Sequence, residues 1–374
     1  MGDNTLLQLK NTSIAIYCAG KEAKKFLYKC SVIGIPVEYF IDTVKTGSCC
    51  GRDIYNIDTA PNIESIYIVA ACKENYYFEI KQLLIKSGKK EFEDFCYYKM
   101  INRWGGHKKL CVINMNCYMY PIIEYMEKSK WFKETCFVYP LEPIYARKGG
   151  EIDELILKNA DVYIHQIISN KNPFDVKSSD DYCIPRLKPE CLKITVPNFY
   201  PDGAEIFYPY LKRELEEGFF YEDEFIDEAI KRNCVNPKQV YEYVNSIIIS
   251  ASRALDINKW LEYMEYRDIR YDVKVSSYIK HNYKHEKLFN DKGHPSSKLM
   301  LYICRELAKL LSINDIEENN SVQLCEIGYE HFVWKPVMDL LGLDFSQEKV
   351  RVNALGIDYG LEPIEFIQAY MYIR

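Results

Sequence analysis

The sequence predicts an α/β protein of two domains, a small parallel sheet followed by a larger doubly wound domain with helical insertions. Three observations predict it. Short apolar strands alternate with amphipathic helices from residue 13 to about residue 100, an order that demands a parallel sheet with crossover connections. The alternation breaks at the polar, glycine-containing stretch Asn102 to Lys109 and restarts at Leu110. The chain has 374 residues, 48% of them hydrophobic, which suits two cores better than one. The expected domains are residues 1–103 and 108–374.

Ser13 to Tyr17 is a short apolar run ending in Cys18-Ala19-Gly20. Ala23, Phe26, Leu27 and Cys30 follow at helical spacing, and Gly34 stops that helix. Val37 to Ile41 forms the next strand, closed by Asp42. Ser65 to Ala71 is a third strand, and a helix through Tyr77, Ile80, Leu83 and Leu84 ends at Gly88. The loop from Cys18 to Ala23 stands where a dinucleotide fingerprint would stand, with Cys18 and Ala23 in place of the first and third glycines. Gly20 would let the backbone approach a phosphate, the helix start at Lys21 favours negative charge, and Asp42 is placed to bond a ribose. The segment resembles the small Rossmann-like domains that precede many sugar-modifying enzymes. It therefore reads as a nucleotide- or sugar-nucleotide-binding-type domain with Gly20, Lys21 and Asp42 as its binding residues. The alternative is a domain that keeps the fold without the ligand.

Leu110 to Ile113 opens the second sheet and ends at Asn114-Met115-Asn116-Cys117, with a helix through Ile122, Ile123 and Met126 behind it. Thr135 to Tyr139 is a strand, Ile152 to Leu157 is helical, and Asp161 to Gln166 is a strand running into a polar loop. Leu192 to Val196 is a further strand, closed by Pro197-Asn198. Residues from about 210 to 285 read as mainly helical, with the acidic run Glu214 to Glu224 as a solvated face. Ser296 to Leu311 is an amphipathic helix.

Composition removes several function classes. The net charge is −6 and no basic block occurs, so nucleic acid is not an expected partner. Apolar runs fall far short of the roughly 20 residues that span a bilayer, and the first residues lack the pattern of a secretory signal. A cytoplasmic protein is expected. The 14 cysteines include no CxxC pair, so no metal site is expected, and most thiols read as small core residues.

Several motifs recur in a telling order: Asn116-Cys117 after the first strand of the second sheet, Asp161 to Gln166, Val196 to Tyr200, Tyr208-Pro209, Leu288 to Ser296, Trp334 to Val337 and Glu365-Phe366-Ile367. Over roughly residues 108–374 this set resembles the WcbI-like acyltransferases of surface-polysaccharide biosynthesis, with Tyr118 where the family's turn has Gln. The resemblance implies a flavodoxin-like, SGNH-hydrolase-related fold. It also implies acetyl-CoA as acyl donor, coenzyme A as carrier, and a carbohydrate or nucleotide-sugar acceptor of capsule, lipopolysaccharide or another surface glycan.

Open α/β sheets bind ligands at the carboxyl ends of their strands. Cys117 stands at such an end, just before a helix whose start favours negative charge and offers N–H groups to an oxyanion. Asn116 could add an amide donor. His294 is the natural base, and Asp291 three residues earlier would orient its imidazole; alternatively His294 deprotonates a sugar hydroxyl directly. His165, Gln166, Asn198 and Tyr200 are candidate substrate or coenzyme A contacts, and His281 and Lys284 a candidate phosphate patch. Against these stand plainer readings: Cys117 as a structural thiol, His165 as a satisfied strand-end histidine, and His281 with Lys284 as a solvated face. The functional alternatives are an SGNH-type carbohydrate esterase and a non-catalytic glycan- or nucleotide-sugar-binding module. A homo-oligomer is a further possible state of the protein.

Overall fold

A computed structural model of the chain describes residues 9, 12–61, 65–71, 74–103, 108–141, 152, 154–168, 179–199, 203–214, 221–249, 256–316, 324, 330–354 and 357–373. Two separate parallel-dominated sheets carry the architecture. In the first, β1 (Ile14–Tyr17) is buried along its whole length, as a strand covered on both faces must be. It pairs in parallel with β2 (Val37–Ile41) and with the strand Ile66–Val69. Helix α1 (Lys21–Ile33) crosses between β1 and β2. It buries Ala23, Phe26, Leu27 and Cys30, and ends at Gly34, whose φ of 76° a side chain would resist.

Outward of β2 lies a hairpin that the sequence did not announce, β3 (Gly47–Cys49) and β4 (Arg52–Tyr55), antiparallel to each other. Its two turn residues, Cys50 and Gly51, both have positive φ, the geometry that matches strand twist in a tight hairpin. With β5 (Ile66–Val69), helix α2 (Glu74–Lys86) and the three-residue β6 (Phe95–Tyr97), the sheet order becomes β3-β4-β2-β1-β5-β6.

The second sheet is wholly parallel and has the order β10-β9-β7-β8. Its strands are β7 (Lys109–Asn114), β8 (Cys136–Pro140), β9 (Val162–His165) and β10 (Leu192–Thr195). From β7 the chain goes to β8 on one side, and from β9 to β10 on the other. The crevice at the carboxyl ends of β7 and β9 is therefore the topological switch point, where open sheets take ligands.

Alternation along β7 sends Leu110 and Val112 to one face and Cys111 and Ile113 to the other. The first pair joins Ala15, Tyr17, Ile41 and Val69 of the first sheet in a single apolar cluster, so the two sheets share a core. The second pair joins a larger cluster built with the C-terminal helices. α3 (Met119–Met126) packs in the same cluster, as do the helix Ile257–Asp268 and the helix Ser297–Leu310.

The stretch expected to be mainly helical, 210 to 285, also contains an antiparallel hairpin, Leu211–Glu214 with Tyr221–Asp223. Nor is the acidic run through it wholly a solvated face. Asp223 is fully buried and caps the helix Glu224–Lys231 through the N–H groups of Phe225 and Ile226. A second hairpin, Val350–Ala354 with Ile357–Leu361, precedes the last helix, Pro363–Ile373. No helix of the described residues is long and apolar enough to cross a membrane.

Candidate active site

The loop after β7 is held by its own side chains. The Asn116 N–H donates to Gln166 Oε1 at 3.1 Å, and the Asn116 side chain spans to both neighbours: Nδ2 donates to Asn198 Oδ1 at 3.3 Å, while Oδ1 accepts from the Tyr118 N–H at 3.2 Å. Gln166, fully buried, donates from Nε2 to the Pro197 carbonyl at 3.4 Å. Loops following β7, β9 and β10 are thus strapped together at the switch point, with Cys117 half-buried on top of them.

His294 arrives from a distant loop. Asp291, completely buried, shapes that loop by accepting from the N–H groups of Gly293 and His294 at 2.7 and 2.8 Å. It then accepts from the His294 ring, with Nδ1 2.8 Å from Oδ2. With Nδ1 committed, Nε2 is the ring nitrogen left to meet Cys117, which is close enough to act on the imidazole's charge. Burial opposes a charge on the ring. The Asp291 carboxylate outweighs burial, with help from Cys117, and the His294 pKa is pushed up to about 10.

The structure therefore brings together Cys117, His294, Asp291 and Asn116. Two details differ from expectation. The Tyr118, Met119 and Tyr120 N–H groups at the helix start are taken up by Asn116 and Cys117 oxygens. Among the described residues of this loop, the donors left for an oxyanion are the Cys117 N–H and the second hydrogen of Asn116 Nδ2. Tyr118 is completely buried. Its hydroxyl donates to the Gly293 carbonyl and accepts from the Phe199 N–H at 3.3 Å, and burial pushes the phenol well up, so it stays a hydroxyl.

The other candidates divide. Asn198 lies half-exposed beside Asn116. His165 and Gln166 are buried struts rather than exposed contacts: His165 Nδ1 lies 3.0 Å from Asp180 Oδ1, and its ring stacks on Tyr163 at 4.8 Å between centroids. His281 and Lys284 are exposed at the end of the helix Ser276–Asn282. His281 turns back to the Ser277 carbonyl at 2.6 Å, and among the described residues neither side chain bonds to the Cys117–His294 group. Tyr200 lies outside the described residues.

In the first sheet, Gly20 starts α1 with open space where a side chain would project. Cys18, in the place of the first fingerprint glycine, takes the positive φ of 83° that a glycine would supply there. Asp42, expected to meet a ribose, is instead engaged by backbone. Oδ2 accepts from Ala19 N–H at 2.8 Å, and Oδ1 from Val44 and Lys45 N–H at 2.9 and 3.0 Å. Burial alone would raise its pKa, but those N–H donors hold it below the usual carboxylate range. Lys21 is exposed.

Sequence reasoning missed His331, Asp223 and Arg267. His331 is buried against the Tyr221 and Phe366 rings, close enough to Asp291 to feel its charge, and burial pushes its pKa down to about 4. Its N–H donates to the Asn290 carbonyl, next to Asp291. Asp223 is read above, and Arg267 below. Among the described residues no group of His, Cys, Asp and Glu could hold a metal ion.

Fold and site together define a class: a doubly wound α/β protein carrying a Cys–His–Asp group at its switch point. Residues 110–315, more than half of the chain, match the family described as polysaccharide biosynthesis enzyme WcbI, and the chain belongs to that family. In structure it is similar to a solved WcbI, described as a novel polysaccharide biosynthesis enzyme and as the native protein without a disulfide bond between coenzyme A and one of its cysteines. That likeness has a TM-score of 0.54 at 16% identity, covering 71% of this chain and 89% of that one. It establishes the shared fold. No curated protein matches the chain.

Proposed function

We propose that the chain is an acyltransferase of polysaccharide biosynthesis that moves an acyl group, most simply acetyl, from coenzyme A to a carbohydrate or nucleotide-sugar hydroxyl. The observation that carries this reading is the His294–Asp291 hydrogen bond set beside Cys117 at the switch point. The naming of coenzyme A with a cysteine in the solved relative supports the choice of carrier.

In the first step the Cys117 sulfur, having passed its proton to the His294 ring, attacks the thioester carbonyl. The oxyanion is met by the Cys117 N–H and the Asn116 amide. The bond from carbonyl carbon to the coenzyme A sulfur breaks, and that sulfur takes the proton from His294. A ring that holds its proton through neutral pH suits this role. In the second step the now neutral imidazole takes the proton of the acceptor hydroxyl as its oxygen attacks the acyl-cysteine. The ester forms, and the Cys117 sulfur leaves. Asp291 holds the ring's orientation in both steps.

Residues 1–103 would seat an acceptor nucleotide over Gly20, and residues 108–374, which share a core with them, would form the transferase. Incubation with acetyl-CoA, followed by mass spectrometry of the intact protein, tests the central claim. An acetyl adduct is expected on the wild type and none on Cys117→Ala, with thioester consumed in bulk only when an acceptor sugar is added. Acetate release without acceptor would instead make the chain an esterase. Binding with no adduct and no turnover would make it a binding module.

A further inference from the structure

Arg267, near the end of the helix Ile257–Asp268, sits where a solvated arginine would not. Its Nη2 donates to the Asn198 carbonyl and, at 3.3 Å, to the Tyr271 hydroxyl. Asn198 is the residue whose side chain holds Asn116, so the guanidinium stands one residue away from the loop that carries Cys117. Three rings surround it, with the guanidinium carbon 5.7 Å from the Phe199 centroid, 5.6 Å from Tyr263 and 5.8 Å from Tyr271. Phe199 is itself tied to Tyr118. The side chain is only partly exposed, and among the described residues it has no carboxylate partner. Among the described residues, its Nε and Nη1 donors meet no acceptor.

An always-charged group that is partly withdrawn from water, held in orientation by rings and a carbonyl, and left with three N–H donors is arranged for an anion it does not yet have. The three nearby rings keep the guanidinium from folding back to solvent. A structural arginine of this kind would be expected to carry an Asp or Glu, as Arg186 does with Glu154 and Arg232 with Glu228.

We propose that Arg267 is a binding residue for a phosphate oxyanion of a substrate, at a subsite beside Asn198. The inference rests on the switch-point crevice being a substrate site. Two substrates of the proposed reaction carry such a group: the pyrophosphate of the acyl carrier and that of a nucleotide-linked sugar.

Calorimetry on the full chain, wild type, Arg267→Gln and Arg267→Lys, with inorganic pyrophosphate, coenzyme A, pantetheine and a UDP-sugar tests it. Removing one charged donor should weaken the phosphate-bearing ligand by about tenfold or more. Arg267→Lys should fall between, and pantetheine, which has no phosphate, should bind all three proteins alike. Loss confined to coenzyme A assigns the anion to the carrier, and loss confined to the UDP-sugar assigns it to the acceptor. Equal affinities in wild type and Arg267→Gln, or no binding of any phosphate ligand to the wild type, overturn the proposal. Labelling of Cys117 by iodoacetamide serves as a control for the site. If Arg267→Gln labels at the wild-type rate, the lost affinity is the arginine's own; if labelling collapses too, its role is structural and the proposal fails. Neither readout needs turnover, so the proposal stands or falls separately from acyl transfer.

Discussion

The hydroxyl of Tyr118 is bonded to the carbonyl of Gly293, so the residue after Cys117 grips the residue before His294. The same oxygen accepts from Phe199 N–H, and a single buried ring thus joins three loops whose ends make the crevice. Tyr118→Phe keeps the ring and its burial but leaves a carbonyl and an N–H without their partner. A loss of about 1–3 kcal/mol in stability is expected. Alkylation of Cys117 by iodoacetamide should slow as the imidazole drifts. A variant that loses stability yet alkylates at the wild-type rate would show that Tyr118 supports the fold alone.

Cys117 should also be the fastest-labelled thiol of the chain. Most of the other described cysteines are buried, and Cys117 is half-buried and near enough to the His294 imidazole to influence its charge. Peptide mapping after brief exposure to iodoacetamide checks this. His294→Ala should cut the rate at Cys117 by tenfold or more, roughly the factor that a lost charge-assisted hydrogen bond represents. Modification concentrated at exposed Cys50 instead would count against an activated thiol.

The His294–Asp291 pair predicts a pH dependence. The folded pKa of His294 is raised from an ordinary 6.5 to about 10. A group whose pKa rises on folding stabilises fully below its unfolded value, and that contribution disappears as pH climbs through the folded one. The unfolding midpoint of the wild type should therefore decline between pH 6.5 and about 10, and the decline should be shallower in His294→Gln. In Asp291→Asn, the imidazole resonances should titrate at markedly lower pH. A ring that titrates near its ordinary value in the wild type would refute the coupling.

Asp223 gives a second window. Burial, only partly offset by the Trp334, Ile226 and Phe225 N–H donors, raises its pKa from 3.8 to about 7. Its sign is the same: the stabilising contribution of the protonated form is present below pH 3.8 and lost by about pH 7. Asp223→Asn forfeits the bond from Trp334 Nε1 to Oδ2, 2.8 Å in the native protein, and should cost about 1–3 kcal/mol at pH 5. The cost at pH 8 should be smaller, because there the wild type carries the buried charge. Denaturant unfolding at the two pH values decides it.

Gly20→Ala probes the first sheet. No atom lies within 4 Å of the added carbon, and φ is −93°, so stability should stay within about 0.5 kcal/mol of wild type. If a nucleotide-sugar seats over that residue, its affinity should fall while the melting point does not. Unchanged affinity would leave the loop without a ligand role.

Much of this was legible. The run from Ser13 to Tyr17 and the helical spacing of Ala23, Phe26, Leu27 and Cys30 carry their own periodicity, and the Asp291–His294 contact is local enough to read from spacing. Strands of three residues, such as Phe95–Tyr97, are too short to show a period. The turn at Cys50-Gly51 lacks the usual Asn-Gly signal. Asp223 hid inside an acidic run, although an Asp just before Phe225 and Ile226 is a helix-start pattern. Arg267 stands among charged neighbours on its helix. Only the arrival of Phe199 and Asn198 from another part of the chain distinguishes it from a solvated side chain.

Tyr118 and Gly293 are 175 residues apart, and Cys117 and His294 flank them. At roughly 5–20 residues per second, a ribosome makes Cys117 some 10–35 seconds before His294. Through that interval the nascent thiol has neither imidazole nor buried carboxylate beside it. Any reactivity that depends on the imidazole therefore waits for the loop from Asp291 to His294, and a translation product that stops short of Asp291 carries a cysteine without these neighbours.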